Sequence, residues 1–370
     1  VVESVDMFGR WPVLLLLTFG CIVAIPCEFA AAQSIATKVA PQAIKPSVIT
    51  QKVKHDTDDP AIWINHEKPE ESLVLGTDKD ADGAIYAFDL RGKVVARIED
   101  MRRPNNVDIE YRYRLGDDLV DIAVVTERHE NRLRVFRLPD LQPIDDGGIE
   151  VFVGETGEDF RAPMGIAIYR RSSDGSVFAI VGRKSGPTDG SYLWQYELVD
   201  DGDGVVRGKL VRKFGKFSGR GEIEAVMADD SLGYVYYSDE AVGIRKYYAD
   251  PSRGDEQLAV FGTDGFMEDR EGIALIATGP TSGHILVSDQ QANLFHVFTR
   301  CGSKSQPHQH SRIGVVRLST VESDGCDATS VSLGGRDSAF SSGLFVAMSD
   351  DQTFHFYAWQ NIADALGIKR

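Results

Sequence analysis

The amino-acid sequence predicts an all-β protein built as a six-bladed β-propeller. Three observations carry that prediction: a strand–loop–strand unit that recurs six times, a short strand signal that opens each unit, and the near-absence of long amphipathic helical stretches. The copies read LVLGTDKDADGAIYAFDL, DIAVVTERHENRLRVFRL, VFAIVGRKSGPTDGSYLWQYEL, GYVYYSDEAVGIRKYY, HILVSDQQANLFHVFT and LFVAMSDDQTFHFYAW. With Phe88, Phe136, Tyr196, Tyr247, Phe298 and Phe356 as markers, the intervals are 48, 60, 51, 51 and 58 residues. A period of that size marks a repeat architecture. A β-sandwich or a pair of barrels is the competing arrangement, and the regular spacing speaks against it.

The elements follow in chain order. Arg10, the apolar run WPVLLLLTFGCIVAIP from Trp11 to Pro26 and the small residues FAAAQS read as a secretory leader cut after Ala32. That run is short for a membrane span. Residues 1–32 are therefore expected to be a signal peptide, 33–49 a Pro/Ala/Lys linker, and 50–370 the propeller of a secreted protein, extracellular or periplasmic. Each repeat is preceded by an opening segment: DDPAIWI, NNVDIEY, APMGIAIY, EIEAVMA, EGIALI and CDATSVSL. Such small antiparallel sheets bury their faces by stacking radially around a channel. Only the C-terminal WQNIADALGIKR reads as helical, and it is expected to pack on the outside. Of the four cysteines, Cys21 and Cys27 fall in the leader. Cys301 and Cys326 remain, either as a disulfide or as two inert thiols.

Composition narrows the function. The chain has 40 basic and 56 acidic residues, a net charge of −16, which repels nucleic acid and anionic membranes. An acidic protein that handles an anionic substrate needs metal cations to reverse the local field. In a propeller the residues that open each inner strand, or close the next one, converge on one end of the channel. Those positions hold Asp58, Asp59, Asn106, Asp108, Glu224, Glu240, Asp269, Glu271, Gln290, Asp324 and Asp327. Any one of these acids taken alone reads as a solvated turn. Their recurrence at matching positions predicts a carboxylate-rich mouth. So many like charges require cations among them, and hard oxygen donors without His or Cys suit calcium or, less well, magnesium. The motifs of zinc hydrolases, serine hydrolases and nucleotide-binding loops are missing.

HDTDDPAIW at residues 55–63, NNVDIEY at 105–111, DREGIAL at 269–275 and GLFVAMSDD near the end resemble the β-propeller phytases, the calcium-dependent alkaline phytases, over roughly residues 52–368. The resemblance implies a phosphoric monoester hydrolase of the 3-phytase type. Such an enzyme releases inorganic phosphate from phytate, myo-inositol hexakisphosphate, by attack of a metal-activated water, with several calcium ions as cofactor. It places catalytic calcium ligands at Asp58, Glu224, Glu240, Asp269, Glu271 and Gln290. Structural calcium ligands fall at Asp59, the carbonyl of Pro60, Asn106 and the carbonyl of Val107, with Asp324 a further candidate. It gives Lys79, Arg128 and Lys184 the role of phosphate-binding cations, with one phosphate in a cleavage subsite and a neighbour in an affinity subsite. Two departures stand out: Asp80 replaces a lysine, and Met164 replaces a tyrosine that lines the substrate site. The expected partner is the small phosphorylated substrate alone, with no nucleic acid, no membrane after leader removal and a monomeric chain. Two other readings stay open: a calcium-propeller hydrolase of other phosphoesters or lactones, and a non-catalytic extracellular calcium-binding propeller.

Overall fold

The computed structural model describes residues 42–368. The leader, with Cys21 and Cys27, lies outside the described residues. Among those described, six antiparallel sheets follow one another along the chain. Blade 1 runs through Thr57–Trp63, Leu73–Asp78, Gly83–Asp89 and Val94–Met101, and blade 2 through Pro104–Leu115, Asp118–Glu127, Arg132–Leu138 and Ile149–Glu150. Blade 3 comprises Pro163–Arg170, Val177–Arg183, Leu193–Asp200 and Val206–Phe214. Blade 4 comprises Val226–Asp229, Tyr234–Asp239, Gly243–Tyr248 and Ala259–Phe261. Blade 5 uses Arg270–Ala277, Gly283–Asp289, Leu294–Thr299 and Arg312–Arg317. In blade 6, Cys326–Thr329, Leu344–Ser349 and Thr353–Ala358 are completed on the outside by the early strand Val48–Ile49, with Val48 opposite Phe356. That strand falls in the segment expected to be linker.

The repeated units correspond to the second and third strands of each blade, and the opening segments to the inner strands. All six marker aromatics are buried. The apolar cores lie between blades rather than within them. Tyr86 and Phe88 of blade 1 pack on Val346 and Phe356 of blade 6, which closes the ring. Five further clusters join blades 1 and 2, 2 and 3, 3 and 4, 4 and 5, and 5 and 6. Burial between neighbours is what a four-stranded sheet needs, because each sheet alone leaves both faces wet. The helix Trp359–Leu366 packs Trp359, Ile362 and Ala363 against blades 5 and 6. Among the described residues no helix is long and apolar enough to cross a membrane. Cys301 and Cys326 are both free, and Cys326 is buried, which settles the disulfide question in favour of two thiols.

Candidate active site

The local backbone decides where each acid points. Four inner strands open with a break in register, between Thr57 and Pro60, Pro104 and Val107, Pro163 and Ile166, and Arg270 and Ile273. A bulge takes residues off the ladder and re-aims their side chains. Consecutive acids therefore part: Asp58 turns to the mouth, whereas Asp59 accepts the Val107 N–H at 3.1 Å in the channel. Two glycines allow the next blade to come close. A Cβ on Gly165 would meet the Glu224 carbonyl oxygen at 2.2 Å, and one on Gly325 would meet the Asp58 carbonyl oxygen at 2.5 Å.

At the mouth, Asp58, Glu224 and Asp324 each bring a carboxylate oxygen within 4.8 Å of the others. Lys79 sits among them, its Nζ 3.2 Å from Asp58 Oδ1 and 2.8 Å from Asp324 Oδ2. Asn105 Nδ2 donates to Asp58 Oδ2 at 2.8 Å, and Gln290 Nε2 donates to Asp324 Oδ1. Burial pushes the Asp58 carboxyl up to about 6 despite the nearby Lys79 charge. Glu224 is pushed well above its usual range by burial and then by Asp58. Burial works against the charge on Lys79, but Asp58, Asp324 and Glu224 more than offset it and hold the ammonium protonated.

A second group adjoins the first. Burial raises Glu240 to about 7, against the hydrogen bond its Oε2 accepts from Glu222 N at 2.7 Å. Glu271 is raised well above its usual range by burial, then by Glu224 and Glu240. Arg270 Nη1 donates to the Glu240 carbonyl at 2.7 Å and so fixes that turn. Asp269 stands at the edge, bound through its N–H and Oδ2 to the Gln291 amide at 2.9 and 2.7 Å. Of the phosphate-binding candidates, Lys79 is inside the first group, Lys184 pairs with Glu222, and Arg128 lies half-buried against the Met164 sulfur.

Glu222 and Gln291 were not singled out in the sequence. In GEIEA, Glu222 and Glu224 are two apart, so an extended chain puts both on one side; that spacing was the available signal. Of the two departures, Met164 is fully buried beside Arg128. The Asp80 carboxylate accepts Asp82 N at 2.9 Å and lies 4.0 Å from His55. It is thus occupied by its own loop.

The remaining candidates line the channel itself. A cavity of about 180 Å³ is walled by all six inner strands, including Asp59, Pro60, Asn106, Val107, Asp108 and Asp327. The structure therefore separates Asp324, which joins the mouth group, from Asp59, Pro60, Asn106 and Val107, with which it was placed.

The donor set suits a hard cation. Oxygens dominate, and Glu271 Oε2, Glu222 Oε2 and Asn106 Oδ1 are buried without a hydrogen-bond partner among the described residues. Buried polar atoms are rarely left that way, and a divalent cation would satisfy carboxylate and amide oxygens together. Asp58, Glu224 and Asp324, with Glu240, Glu271 and Asp269 beside them, are the residues able to hold such ions at the mouth.

Fold and site together define a β-propeller with an acidic, cation-flanked channel mouth. The sequence matches the Phytase family over residues 12–370, and the chain belongs to that family, as a phosphoric monoester hydrolase of the phytase type. A 3-phytase of Bacillus subtilis (strain 168) is 29% identical over 328 residues, covering 84% of this chain and 81% of that protein. Among solved structures, the Dos1 propeller is 12% identical, with a TM-score of 0.41 over 82% of this chain and 68% of that one. BBS1N, in its complex with ARL6DN, is 11% identical, with a TM-score of 0.47 over 80% and 77%.

Proposed function

We propose that this protein hydrolyses myo-inositol hexakisphosphate in a calcium-dependent reaction, releasing inorganic phosphate, and that it does so as a secreted monomer. The observation that carries the reading is the meeting of Asp58, Glu224 and Asp324 oxygens within 4.8 Å at the channel mouth. Lys79 is the one cation that ion-pairs with them among the described residues. Calcium held by Asp58, Glu224 and Asp324 would supply positive charge for phosphate oxygens and would make water a better nucleophile by lowering its pKa.

The chain's own residues do the rest. Lys79 Nζ, already oriented by two carboxylates, donates to a phosphate oxygen as a point charge. Arg128 offers a planar fork to a second oxygen. Lys184, held at the rim by Glu222, exchanges that partner for phosphate. Asn105 and Gln290 fix Asp58 and Asp324 in place, so the ligand set is organised before substrate arrives.

Phosphate release from phytate by the purified mature chain, first with calcium and then with calcium chelated, tests this reading. Release that stops on chelation and returns with calcium is expected. Equal release in chelator, or none in either condition from folded protein, contradicts it.

A further inference from the structure

Beside the mouth lies a second cavity of about 470 Å³, within the usual range of small-molecule sites, about 300–1,000 Å³. Its walls bring together Arg103, Arg128, Arg161 and Lys184. The Nε atoms of all three arginines are buried and have no hydrogen-bond partner among the described residues. A buried charged donor left unpaired is costly, and the guanidinium fork is the side-chain shape that best matches a phosphate.

Lys184 is paired with Glu222, but the acids that line the cavity, Glu155 and Asp159, do not answer the arginine charges. Glu155 is engaged by Arg183 at 2.8 Å and Lys213 at 3.8 Å, and Asp159 is exposed on a turn. The ion pair of Arg161, with the largely exposed Glu150, is 3.9 Å long. Arg128 is disfavoured in its charged form by burial and then by the neighbouring Arg103 charge. An anion would relieve both effects.

The backbone holds this arrangement at some expense. Arg103 has φ 60°, a left-handed conformation uncommon for a side chain of its size. It is pinned there because its N–H donates to the Asp80 carbonyl at 2.8 Å and its own carbonyl accepts Arg128 N–H at 3.0 Å. Arg161 is tied in through its neighbour, since the Ala162 carbonyl accepts Lys184 N–H at 2.8 Å.

We propose that Arg103 and Arg161 are specificity-determining residues: with Arg128 they grip a second phosphate of a polyphosphorylated substrate while the first lies at the Asp58, Glu224 and Asp324 cluster. The proposal rests on the phytate reading above. Family resemblance implies that a neighbouring phosphate is bound, but it assigns neither arginine. Arg103 also brings a cation to the loop where Asp80 stands in place of lysine. Arg128 links the two places, because the Arg103 charge opposes its own while the Glu224 and Asp58 carboxylates of the mouth favour it.

Steady-state kinetics on phytate and on 4-nitrophenyl phosphate, which has a single phosphate, test this with calcium present. The proteins compared are the unmodified chain, Arg161→Ala, Arg161→Lys and Arg103→Gly. Glycine accepts a positive φ without strain, so Arg103→Gly removes the guanidinium without threatening the fold. Both charge-removing variants are expected to raise the phytate KM about tenfold, with kcat held within about twofold. The loss of kcat/KM on phytate should exceed that on the monoester by about fivefold or more, and Arg161→Lys should recover part of it. Equal losses on both substrates, or an unchanged phytate KM, overturn the proposal alone. An unmodified chain that hydrolyses neither ester overturns the phytate reading, and this proposal with it.

Discussion

Two sets of acids a few residues apart in sequence behave in opposite ways. On the channel wall, Asp327 accepts the Ile62 N–H at 2.8 Å and the Ala328 N–H at 2.7 Å, and Asp108 accepts the Ile109 and Ile168 N–H groups at 2.7 and 2.6 Å. These carboxylates stitch blade 6 to blade 1 and blade 2 to blade 3. At the mouth, Asp58, Glu224, Glu240, Glu271 and Asp324 face one another, and Glu271 keeps a buried oxygen without a partner. Acids saturated by backbone hold the ring together; acids left facing each other are available to ligands. Burial raises both kinds, Asp108 to about 7 and Asp58 to about 6, so a raised carboxyl does not by itself distinguish function from framework.

The largest expected effect comes from the mouth. Glu224→Ala should lower phosphate release by about 100-fold or more. In chelator its melting temperature should hold or rise, because the variant no longer buries that carboxylate. A variant with full turnover would move Glu224 to the structural set. Lys79→Met comes next. It leaves Asp58 and Asp324 without their ammonium, and in chelator it should cost about 3 kcal/mol in denaturant unfolding. Excess calcium should restore most of that loss by mass action.

Asp327→Ala probes the wall. The Ile62 N–H would be left unsatisfied, which costs about 1–3 kcal/mol, while phosphate release should stay within about threefold. A collapse of turnover without loss of stability would erase the distinction between the two sets. The smallest effect is expected from Asp80→Ala, with phytate KM changed by about twofold or less, since the Asp80 carboxylate is occupied by its own loop.

Protonation sharpens the same contrast. Asp58 and Glu240 have raised values, about 6 and about 7. The folded metal-free chain therefore holds these protons more tightly than the unfolded chain does. Their stabilising contribution is complete below the unfolded values, about 4, and is lost as pH rises through 6 and 7. Calcium needs the deprotonated forms, so its affinity should fall as pH drops through the same window. Melting curves against pH should thus decline toward neutrality in chelator, while the increment added by calcium grows. Parallel curves with and without calcium would contradict the assignment of Asp58 and Glu240 as ligands.

Much of this was legible in the sequence, for physical reasons that differ by element. The marker aromatics announce themselves because all six are buried, and inner strands such as Thr57–Trp63 and Pro163–Arg170 because nearly every residue is buried. The mouth acids recur because the ring repeats a geometry. The outermost strands were not read: Val94–Met101 begins with one half-buried residue and then three exposed ones, so it shows little alternation. Val48–Ile49 was missed because two residues carry no pattern, and their partner Phe356 is at the far end of the chain. Arg103 and Arg161 are ordinary loop residues until the fold brings them to one cavity, and Gln291 is one until it meets Asp269. The split between Asp58 and Asp59 depends on a bulge that sequence alternation does not reveal.

Calcium titration of chelator-treated protein by calorimetry is the most direct measurement, with the unmodified chain, Glu271→Gln and Asp327→Asn compared at neutral pH. Loss of calcium-binding heat in Glu271→Gln, with Asp327→Asn titrating like the unmodified chain, is the predicted result. Unchanged binding in Glu271→Gln together with its loss in Asp327→Asn would contradict the division between mouth and wall.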